Sequence, residues 1–322
     1  MSGAVGVTDF ETLVPASVVS REDLVRWAGL EAGALDEILP APRVSVFDAD
    51  TPDWRYAAQV AAAVIERQAL DTERIGWVIY CGSGVWDAPF WSPAAKVASE
   101  LGLAHAHCFE VVNFCNAGAT GLSIARDKVA ARPGRVAMVI ICDRLSRVID
   151  RSDAQSRALF NFGDSATALL VGADRPLLTL RGDEMRTDPS WSDMYQGQLR
   201  GGRTLVRKHY ERRGLKQRYI DAFVELLGLC LSGAALAIDQ LRYLLINQGD
   251  RDVHESLLST LDLPAERSVF NYELDGHLGG GDNWIALRQL MRAGRLRRGD
   301  IVAMATSAMG FSWGMSLLEV SQ

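Results

Sequence analysis

Alternating segments of strand and helix character predict an α/β protein made of two similar halves. Three observations carry this. Continuous apolar runs at 75–81 and 135–142 alternate with amphipathic stretches of helical period. The same alternation resumes beyond residue 176, in the same coarse order but with no clean residue-level repeat. The chain has 322 residues, enough for one large core or for two halves of roughly 150 residues each.

Residues 1–50 are weakly periodic, and no role is legible for them. Within them, Ser20 ahead of Glu22 and Asp23 marks a helix start with a capping side chain and acids in the first turn. Trp54, Ala57, Ala58, Val60, Ala61, Val64 and Ile65 line one face of a helix over 53–68. A strand follows at 75–81, then a loop rich in glycine and aromatics at 82–91, then a helix at 93–103. From Phe109 a short apolar run leads into Cys115, after which Leu122, Ala125 and Val129 recur at helical spacing. A further strand spans 135–142. The turn at 161–163 opens a strand to 172, and another lies at 176–181, followed by a polar connection over 182–204. The boundary between halves falls near 173–176, giving 1–174 and 175–322. In the second half the pattern predicts helices at 220–229 and 233–242, a strand at 243–246, helices at 251–261 and 279–291, a strand from 300 and a last strand at 314–320. Strands that are apolar on both faces imply a mainly parallel sheet covered by helices. Such sheets put chemistry at the carboxyl ends of their strands.

Composition excludes several classes of function. At 48% hydrophobic and 23% charged, with a formal net charge of -6, the chain is globular and has no overall affinity for nucleic acid. Its arginine clusters at 203–218 and 288–298 read as solvated helical faces. The cysteines at 81, 108, 115, 142 and 230 are widely spaced and form no CxxC pair, which argues against a zinc knuckle or a disulfide scaffold. His105 and His107 alternate, but no third metal ligand accompanies them. Neither a signal peptide nor an apolar run of membrane-spanning length is visible, so a cytoplasmic protein with reduced thiols is expected. Gly82-Ser-Gly-Val-Trp-Asp lacks the third glycine of a dinucleotide fingerprint. Gly310-Phe-Ser-Trp-Gly314 matches the serine-hydrolase pentapeptide, yet no Asp and His can follow Ser312 so near the C-terminus.

Cys115 stands at a strand-to-helix junction, where the unpaired NH groups and positive end of a helix favour thiolate and can hold an acyl oxygen. It is the candidate nucleophile. Three stretches then coincide: Phe114-Cys-Asn-Ala-Gly-Ala-Thr-Gly, Phe162-Gly-Asp-Ser-Ala-Thr-Ala-Leu-Leu and Ser307-Ala-Met-Gly-Phe-Ser-Trp-Gly. In order and spacing they resemble the three signatures of the ketoacyl synthase III group of the thiolase-like superfamily, from about residue 50 to the end. The resemblance implies a duplicated five-layered α/β/α/β/α fold and a homodimer. It also implies an acyl group taken onto the cysteine from coenzyme A or from the phosphopantetheine thioester of an acyl-carrier protein, with no permanently bound cofactor. Condensing relatives then decarboxylate a malonyl unit to form a carbon–carbon bond. Some relatives from natural-product pathways acylate an alcohol or amine instead.

Two catalytic positions depart from the family pattern. Asn247-Gln-Gly-Asp250 stands where a His-Gln-Ala-Asn motif is usual, and Gly276-His277 stands where the family has its asparagine. The two residue types are exchanged. Either they still supply one imidazole and one amide donor to a condensing site, or His277 is a general base for an incoming hydroxyl or amine while Asn247 orients or stabilises. Acyl transfer is the favoured reading, because altered donor geometry harms decarboxylation most. Condensation with a malonyl thioester and a non-catalytic partner subunit are the alternatives. Asp275 and Asp282 are both near enough in sequence to orient His277. By resemblance, the backbone NH groups of Cys115 and Met309 would form an oxyanion hole, with Met309 also narrowing the acyl pocket. Phe90 and Trp91 stand where relatives send an aromatic residue across the dimer to line the acyl pocket, Arg147 would lie near the coenzyme A entrance, and Gly163 and Asp164 would hold backbone geometry. The family's N-terminal tryptophan–arginine clamp has no match between Leu24 and Leu39, which favours delivery of the donor by a carrier protein.

Overall fold

Each half of the chain contributes a sheet, and two helices lie between the sheets. The computed structural model describes residues 4–322. The first half runs β1 (Gly6–Leu13), β2 (Val18–Ser20), α1 (Arg21–Trp27), β3 (Arg43–Ser45), α2 (Asp53–Arg67), β4 (Ile75–Gly82), α3 (Pro93–Glu100), β5 (His107–Val112), α4 (Ala117–Ala130), β6 (Val136–Arg144) and β7 (Asp164–Gly172). There follow β8 (Leu178–Thr187), β9 (Tyr195–Arg200), β10 (Arg203–Lys208), α5 (Leu215–Gly233), β11 (Leu241–Ile246), α6 (Arg251–Thr260), α7 (Asp282–Arg292), β12 (Ile301–Ala308) and β13 (Ser312–Val320).

Among the described residues the main strands run in the order β11-β12-β13-β8-β1-β7-β6-β4-β5. The join between β8 and β1 consists only of Gly6 with Thr179 and Val7 with Leu178, so the strands behave as two sheets meeting at one edge. Leu122, Ala125 and Val129 of α4 and Trp284, Leu287 and Leu290 of α7 share a core with Ile79 and Val139 on one side and Leu245 and Met304 on the other. The outer face of the first sheet is covered by α2 and α3, and that of the second by α5 and α6. These are the five layers α/β/α/β/α.

Several elements differ from expectation. The sheet is mixed rather than mainly parallel. Pairings β4–β5, β4–β6 and β11–β12 are parallel, whereas β1–β7, β6–β7, β8–β13 and β12–β13 are antiparallel. A continuous apolar run reports burial of both faces, which either direction satisfies. Strand β1, within the stretch that had no legible role, lies at the join of the two sheets, between β7 and β8. Its buried Asp9 is held by Arg67, with Nε to Oδ2 at 2.8 Å, and that charge hides the strand's alternation. The connection at 182–204 contains the rest of β8 and the hairpin strand β9. Helix α5 is a single helix ending at Gly233, and in place of the expected helix at 233–242 there is only a short turn over Ile238–Gln240. The start signals were sound: Ser20 Oγ accepts from Asp23 N at 3.0 Å to cap α1.

Candidate active site

Cys115 lies in the three-residue turn Phe114–Asn116 between β5 and α4, at the strand-to-helix junction expected of it. Phe114 has φ 50°, a left-handed conformation that costs a non-glycine residue about 1–2 kcal/mol. The turn is held from below: Asn116 is fully buried, and its Nδ2 donates to Ser312 Oγ at 3.3 Å. Its Oδ1 also accepts from Thr306 Oγ1. Ends of the second-half strands β12 and β13 thereby anchor the first-half cysteine.

His277 arrives from the loop before α7. Its NH donates to Asn161 O at 2.6 Å, and its carbonyl accepts from Gly163 N at 2.8 Å, so the turn ahead of β7 grips it on both sides. The imidazole Nε2 lies 3.1 Å from Cys115 Sγ, and Nδ1 lies 2.6 Å from Asp282 Oδ2. Asp282 is the first residue of α7, and its oxygens also accept from Gln248 N at 2.6 Å and Leu278 N at 2.9 Å. The approach is close: a Cβ on Gly280 would stand 2.9 Å from Ile141 Cγ2 and 3.1 Å from Cys115 O. Burial opposes a charge on His277, but the Cys115 sulfur on one side and the Asp282 carboxylate on the other outweigh it and hold the imidazole well above its ordinary range. Below the pair, buried Asp143 accepts from Ser83 N at 3.0 Å, and burial pushes its carboxyl up to about 6. A sulfur, an imidazole and a carboxylate in line can activate a nucleophile and move one proton between acyl donor and acceptor.

Of the two aspartates that flank His277, Asp282 makes the contact. Asp275 instead accepts from Ser45 Oγ at 2.6 Å. Asn247, just past β11, faces the same cavity, but its Oδ1 accepts from Ser307 N at 3.2 Å and Ser307 Oγ at 3.1 Å, while Nδ2 donates to Ser307 O at 3.3 Å. One Nδ2 hydrogen is left for a ligand. Met309 is on the turn between β12 and β13, next to Gly310 at φ 101°. Cys115, His277, Asn247 and Met309 together line a cavity of about 340 Å³, which Phe162 and Tyr219 also border. No residue pattern marked Tyr219, and Ser307 stood in the third motif without a role of its own; both roles are recognisable only once the strands are assembled.

The other expected residues lie elsewhere. Phe90, at φ 51°, is completely exposed on the loop between β4 and α3, and neither it nor Trp91 borders this chain's cavity. Arg147 is committed to two carboxylates, with Nη1 3.1 Å from Asp53 Oδ2 and Nη2 3.0 Å from Asp87 Oδ1. Asp164 accepts from Phe47 N at 2.8 Å and from Ser146 N at 2.9 Å, holding two loops. A Cβ on Gly163 would meet Ser45 O at 2.7 Å.

Two family models match the chain: 3-oxoacyl-[acyl-carrier-protein] synthase III over residues 109–189, and the C-terminal part of the same synthase over 231–320. The beta-ketoacyl-[acyl-carrier-protein] synthase III of Sphingopyxis alaskensis is 26% identical over 282 residues, spanning 85% of this chain and 86% of the relative. The crystal structure of 3-oxoacyl-(acyl carrier protein) synthase III from Pseudomonas aeruginosa superposes with a TM-score of 0.86 at 21% identity, covering 99% of both chains. The acyltransferase ChlB3 superposes with a TM-score of 0.86 at 21% identity, covering 99% of this chain and 98% of its own. With both parts of the synthase matched and the layered fold shared along the whole chain, the protein belongs to the ketoacyl synthase III-like family of the thiolase superfamily.

Proposed function

We propose that this enzyme is an acyltransferase that takes an acyl group from a coenzyme A or acyl-carrier-protein thioester onto Cys115 and passes it to a hydroxyl or amine. The observation that carries the proposal is the imidazole held between Cys115 Sγ and Asp282. In the first step Sγ attacks the thioester carbonyl, the thiol proton passes through His277 Nε2 to the departing thiol, and the acyl group stays activated as a new thioester. In the second, the acceptor attacks that carbonyl, His277 takes its proton, and the proton returns to Cys115 Sγ as the sulfur leaves. Backbone NH groups of Cys115 and Met309 receive the carbonyl oxygen in both steps. Asn247 uses its remaining Nδ2 hydrogen to orient the ligand.

A carboxylate on Nδ1 makes the opposite nitrogen a better base, and an alcohol or amine needs one. Decarboxylation of a malonyl unit generates its own carbanion and needs donors. The second reading, condensation, is supported by the names of the synthase relatives. Among the fold neighbours, ChlB3 is named an acyltransferase. Carbon dioxide release separates the two readings. Acyl-loaded enzyme given malonyl thioester should release none above background, and release coupled to turnover would establish condensation instead. The intact Cys115, His277 and Asp282 constellation argues against a non-catalytic partner subunit.

The working unit is proposed to be a homodimer in a reducing cytoplasm. Phe90 is fully exposed, Val112 and Phe114 are exposed near the edge strand β5, and all five cysteines are free. Phe90 and Trp91 would reach the partner's acyl pocket. No helix among the described residues is long and apolar enough to cross a membrane.

A further inference from the structure

The cavity at Cys115 has a larger neighbour. Ala158, Gly249 and Asp250 border both it and a second, outer cavity of about 730 Å³. The outer walls carry Asp36, Glu37, Asp250, Asp252 and Glu255 against a single lining cation, Arg251. That cation is already engaged, with Nε 2.8 Å from Glu255 Oε1 and Nη1 on Glu273. Asp36 pairs with Arg21 at 3.1 Å and Asp252 with Lys216 at 2.7 Å. Among the described residues, Glu37 and Asp250 have no ion pair. The wall therefore keeps a negative surplus, concentrated by the concave shape.

A second observation points to what it holds. Asn161 also borders the outer cavity and is only 6% exposed. Its Nδ2 donates to Gly249 O at 3.1 Å, while its Oδ1 is buried with no hydrogen-bond partner. A buried carbonyl oxygen without a donor is costly, about 1–3 kcal/mol, and a ligand N–H group removes that cost. The same residue's main-chain oxygen accepts from His277 N at 2.6 Å, so this unpartnered acceptor is one residue removed from the imidazole.

We infer that the acceptor is an amino alcohol: its protonated amine sits in the outer cavity among Glu37, Asp250 and Asn161 Oδ1, and its hydroxyl reaches His277. This rests on the acyl-transfer reading and adds the chemical class of the acceptor. The charge also keeps the amine protonated and unreactive, which directs acylation to oxygen.

The test compares 3-amino-1-propanol with 1-butanol, which have the same chain and differ in charge, as ligands of the unacylated enzyme. The readout is protection of Cys115 from alkylation by iodoacetamide, followed by peptide mass. The amino alcohol should protect at about a tenfold lower concentration than butanol at low salt, and the gap should narrow at high salt. In Glu37→Gln with Asp250→Asn the gap should close, since asparagine caps α6 as well as aspartate does. Equal protection by the two alcohols, or a gap that survives both substitutions, overturns the inference. Because this readout needs no acyl group, it stands apart from the loading reaction. Protection without any acyl-Cys115 would count against acyl transfer alone, and acylation with equal protection would count against the amino alcohol alone.

Discussion

A thiol ionises to a small extent near neutral pH and an alcohol does not, so loss of the base should harm the two half-reactions unequally. His277→Ala is expected to slow discharge of acyl-Cys115 to an acceptor by about 10²–10⁴-fold and to slow loading less. A time course of intact-protein mass reads both, and equal losses would count against His277 as the acceptor's base. Asp282→Asn is expected to act through His277. A base works only when unprotonated, and the Asp282 carboxylate raises the pH at which His277 loses its proton. Removing that charge should therefore move the acid limb of the discharge profile to lower pH while lowering its plateau. An unmoved limb would mean that Asp282 only packs. Cys115 was legible from its strand-to-helix turn together with the three motifs that resemble the family's, and His277 from its place in that family pattern. The choice of Asp282 over Asp275 was not legible. It depends on the turn over Gly279–Gly281, which folds the start of α7 back toward the imidazole and leaves Asp275 to Ser45.

At the scale of elements, α4 is pressed between two sheets, and its fit depends on the lack of a side chain. A Cβ at Gly121 would stand 2.4 Å from Cys81 Sγ and 3.2 Å from Val139 Cγ1. Gly121→Ala is expected to lower stability by about 1–3 kcal/mol through overpacking, read as a lower urea midpoint. On α6, His254 is stacked on Phe270 with ring centroids 4.1 Å apart, and its Nε2 lies 2.7 Å from Ser268 Oγ. Burial, aided by the charge of Arg251, pushes its imidazole down to about 3. An unfolded histidine titrates near ~6.5, so between these values the unfolded chain binds a proton that the folded one refuses, and stability falls by up to ~1.4 kcal/mol for each pH unit of acidification. The stability difference between wild type and His254→Gln should then shrink as pH drops from neutral toward 4; a constant difference would contradict the assignment. Helices with apolar stripes, such as α2 and α6, were readable from sequence. Strand β1 and the hairpin of β9 and β10 were not, because their charged residues are neutralised or solvated only by partners distant in sequence.

Across the whole molecule, the two halves are interdependent at the site: the cysteine comes from one, and the imidazole, carboxylate and Asn247 come from the other. Light scattering is expected to give twice the chain mass, and Phe90→Glu should shift the protein toward the single chain, since a charge replaces an exposed apolar ring. An acidic vestibule also disfavours a free nucleotide at the mouth. A donor delivered on a carrier's pantetheine arm should therefore load Cys115 faster than the same acyl group on coenzyme A. The layered architecture was legible from the resemblance of three motifs, whereas strand direction and the contents of the vestibule arise from packing between distant segments.

The most direct measurement is intact-protein mass spectrometry after incubation with a panel of acyl-coenzyme A and acyl-carrier thioesters. One acyl group should appear, map to the peptide containing Cys115, and be absent from Cys115→Ala. An adduct that persists in Cys115→Ala, or folded protein that gains none across the panel, would contradict the covalent acyl-enzyme.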